Sequence, residues 1–251
     1  MDEEPVELRT HKHLFADLSL LDRYEPVQLR DNPPRLGGVA TARDHACEHH
    51  LWFHATAIDE DDRARMWYMS TELGRDRQRL RIPWHGYAES SDGSTWRKPN
   101  LALVTFSGRT DNYLIPPKPH RANVFLDPTA APEHRFKTLG LNLEPEIGST
   151  RYGVFSSSDG FTFREPGCNG IDLAGDRQNM AFWDGRLGRY VAYLGAFTPT
   201  AGGDWRRAVA RWETDDLTSR GGWELRSDRR QLLLFGGATE TIGRRRVDAR
   251  V

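Results

Sequence analysis

Four consecutive polar residues, Asp176 to Asn179, carry the side chains best suited to chemistry and stand directly before an apolar segment. Arg177 is able to hold the Asp176 carboxylate in its ionised form, and the amides of Gln178 and Asn179 are able to donate and accept hydrogen bonds to a ligand. We interpret Asp176 as a candidate catalytic carboxyl group. The alternative is an acid that caps a strand in a turn.

A second polar run, His45 to His50, contains one acid, one cysteine and three histidines. Glu48 is the candidate partner carboxylate for Asp176, with Asp44 as its substitute, and an exposed loop glutamate is the alternative. His, Cys and Glu are all competent zinc ligands, but no second cluster at ligand spacing occurs in the sequence, so we predict no metal and no cofactor. A neutral His49 that contacts substrate is the favoured interpretation.

Both polar runs precede the same kind of element in an internal repeat. Each repeat contains a strand, an acidic turn, and a second strand that opens with a basic and an aromatic residue. Two markers keep nearly the same spacing from one repeat to the next. They are the turn acids Asp59, Asp127 and Asp184, and the acids of a Ser-Ser-Asp-Gly turn or its weaker third copy, Asp92, Asp159 and Asp215.

Two interleaved markers with one period predict an all-β fold, a β-propeller of four-stranded antiparallel blades. We place the repeats at approximately residues 45–100, 118–166 and 176–223 of a single domain that spans residues 1–251. The tail, residues 224–251, has neither marker. Because the smallest common propeller has about four blades, either the N-terminal residues supply a closing strand or the propeller is incomplete.

Several conspicuous residues are expected to be structural. The Asp-Gly turns are expected to satisfy their own backbone N–H groups, and their glycines to adopt positive φ. Asp127, which is followed by a proline, is also expected to belong to a turn. For the two cysteines, Cys47 and Cys168, one bridge, two free thiols and one reactive thiol all stay open, and two buried thiols are the favoured interpretation. Four tryptophans are expected to fill the core between sheets: Trp52, Trp67, Trp96 and Trp183.

The composition narrows the range of partners. The chain has 251 residues, with 35 Lys and Arg against 36 Asp and Glu. This balance gives no electrostatic argument for nucleic acid or an anionic membrane as a partner, and no apolar run approaches the ~18 residues of a membrane helix. The first residues are acidic and polar where a secretory signal is basic and then apolar, so we expect a cytoplasmic protein. The oligomeric state stays open.

The order of the motifs carries a family resemblance over about residues 13 to 218. LFADLSLL, RMWYMS, YAESSDGSTWRKPNL, VFLDPTAAPEHRFK, YGVFSSSDGFTF and DRQNMAFWDGRLGRYVAYL together resemble the propeller proteins labelled glycosyl hydrolase family 32 N-terminal-like. These belong to the five-bladed group that includes glycoside hydrolase families 32 and 43. The chain departs from them at Arg177, where relatives commonly have threonine, and related chains usually continue with further blades.

The resemblance implies a five-bladed propeller that cleaves or binds a glycosidic carbohydrate in a central funnel. Cleavage uses two carboxyl groups, about 5 Å apart for retention or roughly 6.5–9.5 Å apart for inversion, and we assign them to Asp176 and Glu48. Inner strands of propeller blades begin at the ligand-binding face, which predicts these substrate-binding residues: Arg177, Gln178, Asn179, His49, His120, Arg121 and Asn112. A non-catalytic carbohydrate-binding or scaffold propeller and an inactive, truncated homologue are the alternatives.

Overall fold

The chain divides into two compact units, Met1–Val39 and Ala40–Val251. The computed structural model describes residues 30, 33, 35, 37–48, 50–60, 62–71, 84–116, 120–142, 151–164, 171–172, 179–199, 205–217 and 224–225. Every element discussed below belongs to the second unit. A single domain over residues 1–251 stays a prediction.

Three antiparallel sheets occupy the described part of the second unit, and each consists of four strands that follow one another in the chain. The first sheet contains β1 (His50–Glu60), β2 (Arg63–Thr71), β3 (Trp84–Ser90) and β4 (Leu114–Ile115). The second contains β5 (His120–Leu126), β6 (Phe136–Asn142), β7 (Arg151–Ser157) and β8 (Ile171–Asp172). The third contains β9 (Met180–Asp184), β10 (Arg189–Pro199), β11 (Trp205–Thr214) and β12 (Glu224–Leu225).

The prediction of an all-β chain with four-stranded antiparallel units is confirmed for these residues. Their only helical element is the 3-10 turn Pro132–His134 between β5 and β6. None of the described residues forms a helix with the length and apolar character needed to cross a membrane.

The Asp-Gly turns have the predicted geometry in the first two sheets. Asp159 Oδ1 accepts the backbone N–H groups of Phe161 and Thr162 at 2.7 and 3.1 Å, and Ser157 Oγ accepts that of Gly160 at 3.0 Å. The equivalent bonds recur around Asp92. Gly160 has a φ of +80°, the left-handed region that favours glycine. These turns are therefore structural, as expected.

The core lies between successive sheets. The first sheet packs on the second through a cluster of Trp67, Tyr87, Ile115, Val124 and Phe136. The second packs on the third through a larger cluster that includes Phe125, Leu139, Tyr152, Tyr190 and Leu194. Trp67 is fully buried, and Trp96 and Trp183 pack at the margins of clusters. The Trp52 side chain lies outside the described part of the structure.

A buried cation joins the first sheet to the second. The Arg65 guanidinium donates from Nε to the Tyr87 hydroxyl at 2.9 Å and from its terminal nitrogens to Glu60 at 3.2 Å and to the Asp159 carbonyl at 2.5 Å. Four aromatic ring centroids lie between 4.7 and 5.3 Å from its central carbon: those of Trp67, Tyr87, Phe136 and Phe161. The second sheet's Asp-Gly turn is thus bound to the first sheet.

A buried carboxylate joins the second sheet to the third. Asp127 Oδ1 accepts the backbone N–H and hydroxyl of Thr129, and Oδ2 accepts the Tyr190 hydroxyl at 2.8 Å and lies 3.2 Å from Lys137 Nζ. Burial alone would raise the pKa of Asp127, but these hydrogen bonds and the Lys137 charge outweigh it and lower the pKa. Burial raises the pKa of Tyr190 to about 12. Asp127 therefore belongs to a turn that links two sheets.

We expect Arg65→Met to lower the free energy of unfolding by at least about 2 kcal/mol, because the Asp159 carbonyl and Tyr87 hydroxyl lose a buried partner. The control is Arg63→Met on the same strand, where the half-exposed arginine pairs with Glu89 and the expected loss is below about 1 kcal/mol. Urea denaturation of the two variants measures the difference. Equal losses would contradict the role given to Arg65.

The buried Asp127 carboxylate between the second and third sheets should make the free energy of unfolding depend on pH. The folded pKa of Asp127 is lowered, so its contribution is complete above the unfolded value of about 3.9 and is lost as the pH falls through the folded pKa. We expect Asp127→Asn to be less stable than wild type at neutral pH, with the difference narrowing below about pH 4. Urea unfolding over this pH range measures the difference in stability. A difference that stays constant would show that an ionised Asp127 does not stabilise the contact between the two sheets.

Candidate functional site

The first strands of the second and third sheets lie side by side and run in the same direction. At the middle of β5, the Asn123 side chain donates to the Ala181 carbonyl at 3.1 Å and accepts the Ala181 N–H at 2.8 Å. Ala181 is the second residue of β9. Past the other end of β5, Asp127 binds Tyr190, which pairs with Trp183 near the end of β9. Both strands therefore begin at the same edge.

The first strand of the first sheet shares this direction. Glu60, the last residue of β1, accepts a hydrogen bond from Arg135 at 2.9 Å. Arg135 lies in the connection that follows β5, and its carbonyl accepts the Asp127 N–H at 2.8 Å. Since β5 contacts both β1 and β9 and all three strands end at one edge, they begin together at the opposite edge. We call that opposite edge the entry edge.

The predicted polar runs precede these strands, but most of their side chains lie outside the described residues. This applies to Asp176, Arg177, Gln178 and His49 entirely. The backbones of His120 and Arg121 form the beginning of β5, whereas their side chains are not among those described. Their catalytic and substrate-binding roles stay predictions.

Asn179 fixes the backbone directly before β9. It is fully buried, and its carbonyl oxygen accepts the Tyr152 hydroxyl and the Gly195 N–H, both at 3.2 Å. These bonds tie the end of the polar run to the second sheet and to β10. Asn179 thus anchors the start of β9, and its contact with substrate stays a prediction.

Asn112 holds the loop before β4. Its side-chain amide donates to the Val104 carbonyl at 2.8 Å and its carbonyl oxygen accepts the Leu114 N–H at 3.0 Å. The side chain is buried among residues of the first sheet and its loops. Its predicted substrate contact is not tested by this geometry.

Glu48 is buried, with 1% of its surface exposed. Its Oε2 accepts the backbone N–H groups of Asp44 at 3.0 Å and of His45 at 3.2 Å. Its Oε1 accepts the Tyr68 hydroxyl at 3.2 Å and lies 2.8 Å from Lys98 Nζ. Both carboxylate oxygens therefore have protein partners, and the alternative of an exposed loop glutamate is wrong. A catalytic role stays a prediction.

Lys98 is the residue of this cluster that the sequence analysis did not single out. Its buried ammonium donates to the Ala42 carbonyl and to Asp44 Oδ1, both at 2.6 Å, as well as to Glu48, and it lies 5.4 Å from the Tyr113 ring centroid. The only sequence signal was its position as the basic residue before a proline, after the Asp-Gly turn. Lys98 is thus shared by two carboxylates.

The cluster sets the charge state of its members in opposite ways. Burial would raise the pKa of Asp44, but the hydrogen bonds with Lys98 and Glu48 and the Lys98 charge together outweigh burial and lower it. Burial, together with the nearby Glu48 charge, raises the pKa of Tyr68, and burial also raises that of Tyr113. The Cys47 thiol is free and buried, 3.2 Å from the Tyr113 hydroxyl, with a pKa that burial raises. Asp44 is therefore the ionised acid of this group that reaches solvent, with 58% of its side chain exposed.

The cluster of Asp44, Glu48, Tyr68 and Lys98 is suited to holding a chain segment by charge and hydrogen bonds. Among the described residues, no group of three or more His, Cys, Asp and Glu side chains is arranged to hold a metal ion.

Comparisons with known proteins give structural similarity only. No protein-family profile matches the chain, and no curated protein matches it. A glycosyl hydrolase from Bacteroides ovatus is similar over 70% of this chain and 48% of its own, at 12% identity and a TM-score of 0.43. A sucrose-6-phosphate hydrolase from Lactobacillus gasseri matches over 64% and 32%, at 16% identity and a TM-score of 0.40. A further glycoside hydrolase matches over 71% and 57%, at 15% identity and a TM-score of 0.42. The chain spans between about a third and just over half of these proteins.

The link between β5 and β9 predicts a specific loss of stability. Asn123→Ala should lower the free energy of unfolding by about 1–3 kcal/mol, because it leaves the N–H and carbonyl of Ala181 without their buried partner. Asn100→Ala, in an exposed turn, is the matched control with an expected change within about 0.5 kcal/mol. Thermal or urea unfolding measures both. A negligible loss in Asn123→Ala would mean that the side chain does not hold the two strands together.

Proposed function

We propose that this chain is a carbohydrate-active β-propeller that binds a glycosidic substrate at the entry edge and cleaves it there. The observation that carries the proposal is the common direction of β1, β5 and β9, which brings the beginnings of three first strands to one edge. In a propeller, inner strands surround a central channel. The three sheets are then successive blades of a ring.

Asp176 is the carboxyl group that we assign to the chemistry. It stands three residues before Asn179 in the sequence. The hydrogen bonds from Tyr152 and Gly195 fix Asn179 itself, and this supports a defined position for the start of β9. Arg177 would favour the ionised carboxylate, and Gln178 would bind sugar hydroxyls. Rate enhancement from a positioned acid or base is typically about 10²–10⁴-fold.

The second carboxyl group comes from the first repeat, where two acids are available. Glu48 was the predicted partner by sequence position, but its carboxylate is enclosed by Lys98, Tyr68 and backbone N–H groups. Asp44 is exposed and its lowered pKa keeps it ionised at neutral pH, as a nucleophile or general base requires. We therefore favour Asp44 as the partner of Asp176.

Carbohydrate binding without cleavage is the second candidate. The observation in its favour is that the predicted second carboxylate, Glu48, already has protein partners for both of its oxygens. A binding site needs amides and basic groups at the entry edge but no opposed pair of carboxyl groups.

Hydrolysis of a panel of aryl glycosides by wild type and Asp176→Asn tests the assignment. We expect the variant to lose roughly 100-fold or more in kcat/KM, since the amide cannot act as acid, base or nucleophile. Asp215→Asn is the control, because this acid of the same repeat is exposed in a turn and pairs with Arg189. It should retain activity within about twofold, as expected for a surface site.

Circular dichroism melting of both variants separates a chemical defect from misfolding. Equal turnover by wild type and a folded Asp176→Asn would remove Asp176 from the mechanism. Saturable binding of a glycan without turnover in the wild type would replace cleavage by the binding function.

A further inference from the structure

Residues 40–48 lie across one face of the first sheet. Cys47 packs in a buried cluster with Tyr68, Ala88, Tyr113 and Leu114. The neighbouring residues on the same strands, such as Trp67 and Tyr87, point to the opposite face, where the second sheet packs. Because side chains alternate between the faces of a strand, the 40–48 segment covers the face of the first sheet that is turned away from the second sheet.

Lys98 holds this segment in place through ion pairs with two of its carboxylates. Lys98 follows β3 and the Asp-Gly turn, fifty positions along the chain from Glu48. Its ammonium contacts the segment at three places, the Ala42 carbonyl, the Asp44 carboxylate and the Glu48 carboxylate. Glu48 in turn accepts the N–H groups of Asp44 and His45. Lys98 and Glu48 thus satisfy these polar groups of the segment between them.

The segment leads directly into the first strand of the first sheet. Glu48 is two residues before His50, where β1 begins at the entry edge. A displacement of Glu48 would therefore move the beginning of β1. Removing Lys98 leaves the buried Glu48 carboxylate without a compensating charge, whereas removing Glu48 leaves Lys98 paired with the exposed Asp44 alone.

We infer that Glu48 and Lys98 form a latch that fixes residues 40–48 and sets the beginning of β1, so that Glu48 is a positioning residue of the proposed site. The part of this inference that concerns the site rests on the proposed function, whereas the latch itself does not. Lys98 becomes a second positioning residue, because it acts on the site through Glu48 and through its ion pair with Asp44.

Amide hydrogen exchange of Asp44 and His45 tests the latch without any substrate. We expect Glu48→Gln and Lys98→Met each to speed exchange at both amides by roughly tenfold or more. Without the ion pair, local opening of the segment costs less free energy. The double variant should show no more than the larger single effect, since each change already removes the same interaction. It also leaves no buried charge unpaired, so it serves as the folded reference if one single variant misfolds.

The matched control is Asp111→Asn, which removes an ion pair with Arg109 that is exposed to solvent in the loop before β4. It should leave exchange at Asp44 and His45 unchanged. Unchanged exchange at these amides in both Glu48→Gln and Lys98→Met, or effects that add in the double variant, would overturn the latch.

Kinetics with the substrate found in the glycoside panel test the positioning role. We expect Glu48→Gln and Lys98→Met to lower kcat/KM by similar factors, because both changes release the segment that carries Asp44, the favoured partner of Asp176. Loss of kcat in Glu48→Gln but not in Lys98→Met would make Glu48 a catalytic carboxylate and overturn the inference. Absence of turnover in the wild type would refute the proposed hydrolysis, and the exchange measurement would still decide the latch.

Discussion

The paired hydrogen bonds between the Asn123 side chain and the Ala181 backbone fix the relation on which the other features depend. The apolar clusters between sheets are non-directional, so they bring sheets together without specifying which residues face each other. A carboxamide that both donates and accepts at one backbone position allows one alignment only. It sets the middle of β5 against the beginning of β9, and the hydrogen bond from Tyr190 to Asp127 aligns the two strands at their ends.

A buried charged side chain links each pair of successive sheets, a cation in the first case and a carboxylate in the second. Arg65 is enclosed by aromatic rings between the first and second sheets, and Asp127 by hydroxyl groups and Lys137 between the second and third. The repeated Asp-Gly turn also has two uses. A Cβ at Gly160 would lie 2.9 Å from both the Arg65 and Trp67 side chains, whereas Gly93 has open space around it. The second copy therefore serves as a contact between sheets as well as a turn.

Local patterns in the sequence predicted the parts of the fold that local forces determine. The hairpins, the Asp-Gly turns and the burial of Trp67 followed from residue types at short spacing. The buried charged contacts between sheets did not follow from such patterns. Arg65 looked like the basic residue that opens a strand, and its partners come from two sheets. Glu48 was similarly ambiguous, since the side chains that satisfy its buried carboxylate, Lys98 and Tyr68, are distant in the chain. The roles of Asp176, Arg177 and Gln178 remain predictions from their sequence position.

A crystal structure of the chain with a bound glycoside would test the central claim most directly, because the claim concerns where a ligand sits relative to the first strands. We predict the sugar ring at the edge where β1, β5 and β9 begin, with the Asp176 carboxyl group in contact with it. A sugar bound at the opposite edge, beside the Glu60 and Asp127 joints, would contradict the account.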